Sequence, residues 1–249
     1  MPSAPERSVL RDTVSLVTGG ASGLGASIAS ELASCGAHVV VLDPDAGAAH
    51  EIVEQIERND GSAEAVIADV RDVDRLASAV DLAASRGSLF SVVSNAGGWG
   101  GVPAHFPMSD PADWLGVLDL NLIAPMRLVQ LAHPALVEGG AIVQVSSIAG
   151  LESTPYASPE YAVAKAGIVR LTTAVGLLDS VRVSCVVPGW IALPRARAEL
   201  AAVDPEERLT TSPLVPVGQV TDEIVRLIVD PSSGGEVVVL DDGGPPRSL

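Results

Sequence analysis

Short apolar runs rich in β-branched residues alternate along the chain with stretches of helical periodicity. The runs predict seven strands, at residues 13–18, 38–42, 65–68, 89–93, 141–145, 181–187 and 237–240. Helices are predicted between them, at about 24–36, 45–58, 72–85, 109–137, 158–178 and 220–229. Such an alternation builds right-handed βαβ units and a parallel sheet. The sequence therefore predicts one α/β domain over residues 1–249, with a doubly wound, seven-stranded, mostly parallel sheet and helices on both faces.

Composition narrows the range of partners. The net charge is −16 and the sequence pI is about 4.4, which argues against nucleic acid and anionic membranes as partners. No run approaches 18 apolar residues, so no membrane span is predicted. Residues 1–12 lack the apolar core of a signal peptide. We therefore expect a cytoplasmic protein.

The cysteines and histidines give no sign of a crosslink or a metal site. Cys35 and Cys185 fall in apolar stretches far apart, and we interpret them as small core residues in a reducing compartment; a disulfide is the alternative. The four histidines, at positions 38, 50, 105 and 133, show no metal-ligand spacing. No metal is predicted.

Polar and glycine-rich segments directly follow the predicted strands. They are the loop 19–25, Asp43, Asp69, Asn95, Ser147 and Pro188. In parallel sheets, ligands bind outside the carboxyl ends of the strands. We therefore expect these segments to converge on one ligand site at that edge.

The turn after the first strand carries Gly19, Gly23 and Gly25, in a G-x-x-x-G-x-G spacing. Glycines at a strand-to-helix turn let the backbone approach a pyrophosphate, and the helix N-terminus then faces its negative charge. The position of this turn predicts a Rossmann-type dinucleotide site.

Asp43 stands 24 positions after Gly19, at the end of the second strand. A carboxylate there can accept both ribose hydroxyls of NAD and would repel the 2′-phosphate of NADP. No Arg or Lys lies in residues 18–25 or 43–46 to offset that repulsion. NAD is therefore the predicted cofactor, the alternative being that Asp43 is only a turn residue before Pro44.

Tyr161 and Lys165 are four residues apart on a predicted helix, so their side chains share one face. A neighbouring ammonium favours the phenolate and lowers the pKa of a tyrosine, which suits acid-base catalysis. Lys165 is the only lysine, and the chain has only two tyrosines. The alternative is a half-exposed tyrosine beside a solvated lysine.

These features together resemble the short-chain dehydrogenase/reductase family, in its shorter branch of roughly 250 residues. The matching motifs follow the family's order from residue 13 to about 191. They are Thr-Gly-Gly-Ala-Ser-Gly-Leu-Gly at 18–25, Asp69-Val70, Asn95-Ala-Gly97, Leu-Asn-Leu at 120–122, Ser-Ser-Ile-Ala-Gly at 146–150, Tyr161-x-x-x-Lys165 and Pro-Gly-Trp-Ile at 188–191. The final strand before Asp241 also fits.

The resemblance implies a catalytic set. Tyr161 would be the general acid in reduction and the base in oxidation. Lys165 would lower the Tyr161 pKa and hold the nicotinamide ribose, and Ser147 would bind the substrate oxygen. Asn121 would hold a water in a proton relay.

The resemblance also implies the residues that contact the cofactor. They are Gly19, Ser22, Gly23, Leu24, Gly25, Asp43, Asp69, Val70, Asn95, Ala96, Gly97, Tyr161, Lys165, Pro188, Gly189 and Ile191.

The implied function is that of an NAD-dependent oxidoreductase that moves a hydride between nicotinamide and a secondary alcohol or ketone. One alternative is a dinucleotide sensor or scaffold without turnover, and another is an epimerase or dehydratase of the family's longer branch. We expect a homodimer or homotetramer, formed through the helices at 109–137 and 158–178.

The sequence departs from the family pattern in the predicted lid, about residues 190–217. Leu193 stands where the family usually has a threonine that bonds the cofactor. Trp99 and Trp190 either line an apolar substrate pocket or pack the loops. Arg195 and Arg197 either meet an anionic substrate group or are solvated. The identity of the substrate is not predicted.

Overall fold

The computed structural model describes residues 7–99, 102–153, 156–202, 213–241 and 244–249. Its nine strands are β1 Val14–Thr18, β2 His38–Asp43, β3 Ser62–Ile67, β4 Leu89–Ser94, β5 Ala141–Val145, β6 Leu177–Leu178, β7 Val181–Pro188, β8 Val237–Leu240 and β9 Arg247–Ser248. They form one sheet in the order β3-β2-β1-β4-β5-β7-β8-β9, with β6 paired to β7. The seven predicted strands are all present and pair in parallel.

The predicted number of strands was too low by two. Both additional strands, β6 and β9, are two residues long and pair antiparallel, with β7 and β8 respectively. A strand of two residues is too short to show the alternation of apolar and polar residues by which strands are recognised. The fold class is unchanged by this correction.

Eight α-helices lie in the described part of the chain and cover the sheet. They are α1 Gly23–Ser34, α2 Ala46–Arg58, α3 Val73–Ser85, α4 Pro111–Leu118, α5 Ala124–Ala132, α6 Pro159–Val175, α7 Pro194–Ala202 and α8 Val217–Val229. Buried side chains of α1, α2 and α8 pack on one face, and those of α3, α5 and α6 on the other. This is the predicted doubly wound arrangement.

The helix predicted at 109–137 is not uniform. It consists of α4 and α5, joined by a π-helical turn at Asp119–Ile123 and followed by a 3₁₀ turn at His133–Ala135. The loop-rich stretch predicted at 190–217 contains the helix α7, and residues 203–212 of that stretch lie outside the described part of the chain.

Within the described residues, one helical stretch, Pro111–Ala135, is long and apolar enough to cross a membrane by length and composition alone. This is weak evidence, because a helix in the core of a soluble protein passes the same test. The stretch does not form an uninterrupted apolar run in the sequence, because Asp113, Asp119 and Arg127 divide it.

The strand order places a topological switch point between β1 and β4. The chain moves outward from β1 to β2 and β3, then returns to the other side of β1 with β4. The loops after β1 and β4 therefore leave the sheet toward opposite faces and open a crevice between them.

Cys35 and Cys185 are both buried and free in the core.

Candidate active site

A cleft of about 520 Å³ lies in this crevice, at the carboxyl ends of the strands. Its size is that of a small-molecule site. The lining includes every residue predicted for the site except Gly23 and Asn121. It also includes residues that we did not predict, namely Leu42, Pro44, Arg71, Leu120, Val145, Ser146 and Leu193.

The glycine turn is shaped by close backbone contacts. A Cβ on Gly25 would overlap the carbonyl oxygen of Gly19, and a Cβ on Gly19 would lie 2.8 Å from the Cα of Ala96. Gly19 also has a φ of +62°. The side-chain amide of Asn95 braces the turn by donating to the carbonyls of Thr18 and Gly19, at 3.1 and 3.0 Å. A backbone cradle at a helix N-terminus fits the pyrophosphate of a dinucleotide.

Asp43 is held by the backbone at the end of β2. Its carboxylate accepts the N–H groups of Ala21 and Asp45, at 3.1 and 3.0 Å, and the residue is 8% exposed. An ionised carboxylate has about four acceptor positions, so Asp43 keeps two for further donors. The two hydroxyls of a ribose match that remaining capacity.

Arg71 lies outside residues 18–25 and 43–46, the two segments whose lack of a cation favoured NAD in the sequence. Its guanidinium reaches the cleft from the segment after β3 and pairs with Asp69, with Nε–Oδ1 at 3.0 Å and Nη2–Oδ2 at 2.5 Å. The hydrogen bonds from Arg71 lower the pKa of Asp69. The cleft therefore contains an arginine, but the carboxylate of Asp69 already balances its charge.

Lys165 is almost completely buried, with 3% exposure, so the alternative of a solvated lysine is wrong. Its Nζ donates to the carbonyl of Val145 at 2.9 Å and lies 5.5 Å from the ring centroid of Tyr161. Burial lowers the pKa of Lys165 to about 8, so the ammonium remains the main form at neutral pH.

Tyr161 is 9% exposed, and burial raises its pKa above the ordinary value. The nearby polar groups of Ser147 and Trp99 act in the opposite direction on the pKa of Tyr161. Lys165 was expected to lower the pKa of Tyr161, and at this geometry it does not. The ammonium points at the Val145 carbonyl and over the ring of Tyr161, and the burial of the phenol outweighs the opposing contacts.

The two serines after β5 have different partners. The hydroxyl of Ser146 is buried and donates to the carbonyl of Lys165 at 2.8 Å. The oxygen of Ser147 accepts the N–H of Ala149 at 3.3 Å, and Ser147 lines the cleft together with Tyr161. The geometry thus favours Ser147 over Ser146 as the serine that meets a substrate.

Asn121 lies behind the cleft, on the π-helical turn, and is fully buried. Its Oδ1 accepts the N–H of Gly98 at 2.9 Å, and its Nδ2 donates to the carbonyls of Gly98 and Val117, at 2.8 and 2.9 Å. A Cβ on Gly97 would lie 2.7 Å from this Oδ1. Asn121 therefore clamps the segment after β4, and one lone pair of its Oδ1 is left to hold a water.

An aromatic cluster stands beside the cleft. The ring of Trp99 meets those of Tyr161 and Tyr156 edge-on, with centroids 6.1 and 5.9 Å apart, while the two tyrosines stack at 6.2 Å. Arg195 of α7 lies over Trp99 at 6.0 Å and pairs with Glu199. Of Trp99 and Trp190, which were predicted either to line a substrate pocket or to pack the loops, Trp99 is the one whose ring contacts Tyr161.

Comparison with known proteins agrees with this geometry. The family described as short chain dehydrogenase matches residues 13–203. The 7alpha-hydroxysteroid dehydrogenase of Escherichia coli (strain K12) is 29% identical over 240 residues, which cover 92% of each chain. Cyclohexanol dehydrogenase of Acinetobacter sp. (strain SE19) is 34% identical over 221 residues, or 86% of this chain and 85% of that one. A structure of 7 alpha-hydroxysteroid dehydrogenase with NADH and 7-oxo glycochenodeoxycholic acid superposes with a TM-score of 0.85, 27% identity and 98% coverage of both chains.

The chain belongs to the short-chain dehydrogenase family. It is an oxidoreductase of alcohols and ketones that uses a nicotinamide dinucleotide. The relatives are dehydrogenases, so the comparisons do not favour the sensor or the epimerase alternative.

In this short-chain dehydrogenase, Leu193 makes an apolar contact with the phosphate turn. Its Cδ1 would lie 3.5 Å from a Cβ on Gly23, which has a φ of +55°. Leu193 thus packs against Gly23, which is not among the residues that line the cleft. Arg197 donates to the carbonyl of Ala192 at 3.1 Å, so it fastens the start of α7 to the preceding loop.

The dehydrogenase also contains a buried carboxylate that the motifs do not include. Glu160, with a side chain 2% exposed, accepts from Nδ1 of His105 at 2.6 Å and from the N–H of Phe106 at 3.3 Å. Burial acts to raise the pKa of Glu160, but these hydrogen bonds outweigh it and the pKa is lowered. The residue before Tyr161 therefore holds the loop that follows β4.

We expect Glu160→Gln to lower the free energy of unfolding by about 2 kcal/mol at pH 7, because a charged acceptor of two hydrogen bonds is lost. A depressed carboxyl pKa contributes stability above the unfolded pKa and loses it as the pH falls through the folded pKa. The difference from the parent should therefore shrink below about pH 4 in denaturant titrations. The surface variant Glu64→Gln, which loses a pair with Arg86, should change stability by less than about 1 kcal/mol. Equal losses for both variants at pH 7 would contradict this role.

Proposed function

We propose that this enzyme catalyses reversible hydride transfer between NAD and a secondary alcohol or its ketone, with Tyr161 as general acid and base. The observation that carries the proposal is that Tyr161 and Ser147 line one cleft, with the buried ammonium of Lys165 one helical turn from the tyrosine. All three residues line the cleft at the carboxyl ends of the strands.

Each residue has a separate task in alcohol oxidation. Ser147 donates a hydrogen bond to the substrate oxygen and keeps it beside Tyr161. Tyr161 takes the hydroxyl proton, and the buried ammonium of Lys165 binds the nicotinamide ribose. Asn121 keeps the cleft wall in place and offers its free lone pair to a water of the proton relay. When bound, the nicotinamide accepts the hydride in oxidation and supplies it in reduction.

The dinucleotide would lie along the crevice between the glycine turn and Tyr161. The turn at 19–25 would hold the pyrophosphate, Asp69 and Val70 the adenine, and the segments 95–97 and 188–191 the central part and the nicotinamide. Asp43 would accept the ribose hydroxyls. NAD is favoured over NADP because Asp43 repels a 2′-phosphate and the nearby Arg71 is already paired with Asp69.

We further propose that the alcohol is carried on an apolar ring. The relatives named above act, by name, on hydroxysteroid and cyclohexanol, both of which are ring alcohols. Trp99 is 45% exposed beside Tyr161 and offers an aromatic surface to such a ring.

We also propose that residues 1–249 form one domain that assembles into a homodimer or homotetramer. One sheet includes strands from both ends of the described chain. Apolar side chains are exposed on the helices we expect at the interface, namely Leu115 on α4, Met126 on α5 and Val163 on α6, at 50%, 44% and 62%. A second copy of this face would remove them from water.

Replacing Tyr161 with Phe removes the proton-transferring group and keeps the ring. We expect kcat for a ring alcohol such as cyclohexanol to fall by about 10²–10⁴-fold. Binding of NADH, followed by its fluorescence, should persist. Tyr156→Phe is the matched control and should keep turnover within about threefold. Full turnover in Tyr161→Phe would reject the assigned role, and loss of binding and turnover together would show only a damaged cleft.

Replacing Asp43 with Ser removes the repulsion of a 2′-phosphate. For the parent enzyme, kcat/KM should be higher with NAD than with NADP, and Asp43→Ser should reduce that ratio by about tenfold or more, or roughly 1.4 kcal/mol. Asp45→Ser is the control, because Asp45 caps α2 outside the cleft lining and serine can also cap a helix. Faster turnover of the parent with NADPH than with NADH would refute the role of Asp43.

Introducing a charge on the proposed interface should split the oligomer. We expect light scattering to give a multiple of the 25.4 kDa chain mass for the parent and a smaller mass for Val163→Glu. Leu177→Glu changes an equally exposed residue on β6 and should leave the mass unchanged. A monomeric parent would contradict the proposed assembly.

A further inference from the structure

Glu160 fastens the segment that follows β4 to the first turn of α6. Its carboxylate accepts from Nδ1 of His105 at 2.6 Å, and its other oxygen accepts the N–H of Phe106 at 3.3 Å. The side chain of Glu160 is 2% exposed, and the residue directly precedes Tyr161 on the helix. The segment is therefore attached at the neighbour of the candidate catalytic tyrosine.

The hydrogen of this contact lies on Nδ1 of His105. Burial acts to raise the pKa of Glu160, but the hydrogen bonds that it accepts outweigh burial and lower it. The carboxylate is therefore ionised at neutral pH, and its oxygens can only accept. His105 must then carry a hydrogen on Nδ1, whether or not its Nε2 is also protonated. Either form of the ring keeps the segment attached, with the donor at one defined position.

The attachment point begins a turn that leads into α4. The carbonyl of His105 accepts the N–H groups of Met108 and Ser109, at 3.0 and 3.1 Å. The ring of Phe106 meets that of Trp114 on α4 edge-on, with centroids 6.3 Å apart. Because the hydrogen bonds of the turn start from His105, a displacement of this residue moves the whole turn.

The same segment also borders the candidate catalytic tyrosine. Val102 packs against a buried cluster that consists of Val117, Ala149 and Tyr161. In the proposed mechanism Tyr161 meets the substrate oxygen, so side chains packed around it border the space for the rest of the substrate. His105 follows Val102 by only three residues, and its attachment therefore sets how far this border stands from the tyrosine.

We propose that His105 is a positioning residue for the substrate, which through its bond to Glu160 holds the segment 102–109 as a wall of the pocket for the ring of the alcohol. The inference rests on the proposed function, because it concerns a substrate bound at Tyr161. Neither His105 nor Glu160 is among the described residues that line the cofactor cleft. The pair thus sets the affinity for the alcohol without touching the cofactor or the reacting atoms.

The bond acts on substrate affinity and leaves the chemical step unchanged. Without the donor on His105, the segment 102–109 occupies its bound position for a smaller fraction of the time, and the apparent affinity for the alcohol falls by that fraction. Once the alcohol is bound, the wall is in place, so kcat changes little. A role in stability alone would instead reduce the amount of active enzyme and hence the apparent kcat, with KM unchanged.

Alcohols of two sizes test this role. We expect His105→Ala to raise KM for cyclohexanol about 5–20-fold, with kcat and the Kd for NADH within about twofold of the parent. KM for propan-2-ol should rise by less than about threefold, because this alcohol is too small to reach the wall. His133→Ala is the matched control, since His133 is 31% exposed and pairs with the surface residue Asp179; it should leave these constants unchanged. An unchanged KM for cyclohexanol, or an equal rise for both alcohols, would overturn the proposal.

Two amide side chains separate the position of the donor from its chemistry. The amide nitrogen of Asn can occupy the place of Nδ1 of His105, whereas that of Gln lies one bond farther from the backbone. His105→Asn should therefore keep KM for cyclohexanol within about threefold of the parent, and His105→Gln should resemble His105→Ala. Equal KM values for the Asn and Gln variants are incompatible with a donor held on Glu160. This comparison stands even if His105→Ala does not fold.

Hydrogen exchange tests the attachment without turnover. Peptides that cover the segment 102–109 should take up deuterium about fivefold faster in His105→Ala, since the N–H groups of Phe106, Met108 and Ser109 lose protection. Peptides from α8 should exchange as in the parent. Equal uptake in the segment 102–109 would refute the attachment, even in an enzyme that oxidises no alcohol. The proposed function fails if the parent itself oxidises no secondary alcohol, whereas this inference fails if the parent does so and the His105 variants match it in KM.

Discussion

The burial of the Lys165 ammonium is the constraint from which the active-site geometry follows. A charge with 3% exposure needs a fixed partner, and the partner is the carbonyl of Val145, the last residue of β5. This contact brings α6 against the end of β5. Gly150 makes the approach possible, because a Cβ there would lie 2.5 Å from the backbone nitrogen of Ala166. The same docking sets Tyr161 beside Ser147.

The burial of Lys165 also affects its protonation. Burial lowers the pKa of Lys165 to about 8, so the ammonium persists at neutral pH with only a modest margin. Tyr161 is buried as well, and its pKa is raised. Burial thus favours the neutral form of both groups, which share one helix face. A hydrogen bond or a charge that reaches the Tyr161 oxygen would act against this preference.

Sequence could predict the features that are local or periodic. The strand and helix alternation, the glycine turn and the i, i+4 spacing of Tyr161 and Lys165 all repeat or lie within a few residues. The π-helical turn had a local signal that was missed: Pro125 lacks the N–H that an α-helix would use to bond the carbonyl of Asn121. A proline inside a predicted helix indicates a break or distortion near that position.

Contacts between single polar side chains far apart in sequence could not be predicted. Glu160 and His105 are 55 residues apart, and Asn121 and Gly98 are 23 apart. Neither pair belongs to a repeating pattern, and each forms only because the sheet brings two loops together. The interaction of Trp99 with Tyr161 is of the same kind. Sequence therefore identified the candidate catalytic residues, while the contacts that orient them required the fold.

The substitution at Leu193 changes what holds the lid in place. A threonine there would offer a hydroxyl to the cofactor, whereas Leu193 packs against the turn at Gly23 through apolar contact. The polar contacts of the lid lie elsewhere: the backbone of Ala192 and Trp190 pairs with Val215, and Arg195 lies over Trp99. Because an apolar contact has no directional hydrogen bond, Leu193 does not by itself set the direction of α7. Arg197 bonds the carbonyl of Ala192, and Arg195 lies over the ring of Trp99, which packs against the ring of Tyr161. The lid helix therefore contacts the candidate catalytic tyrosine through one aromatic ring.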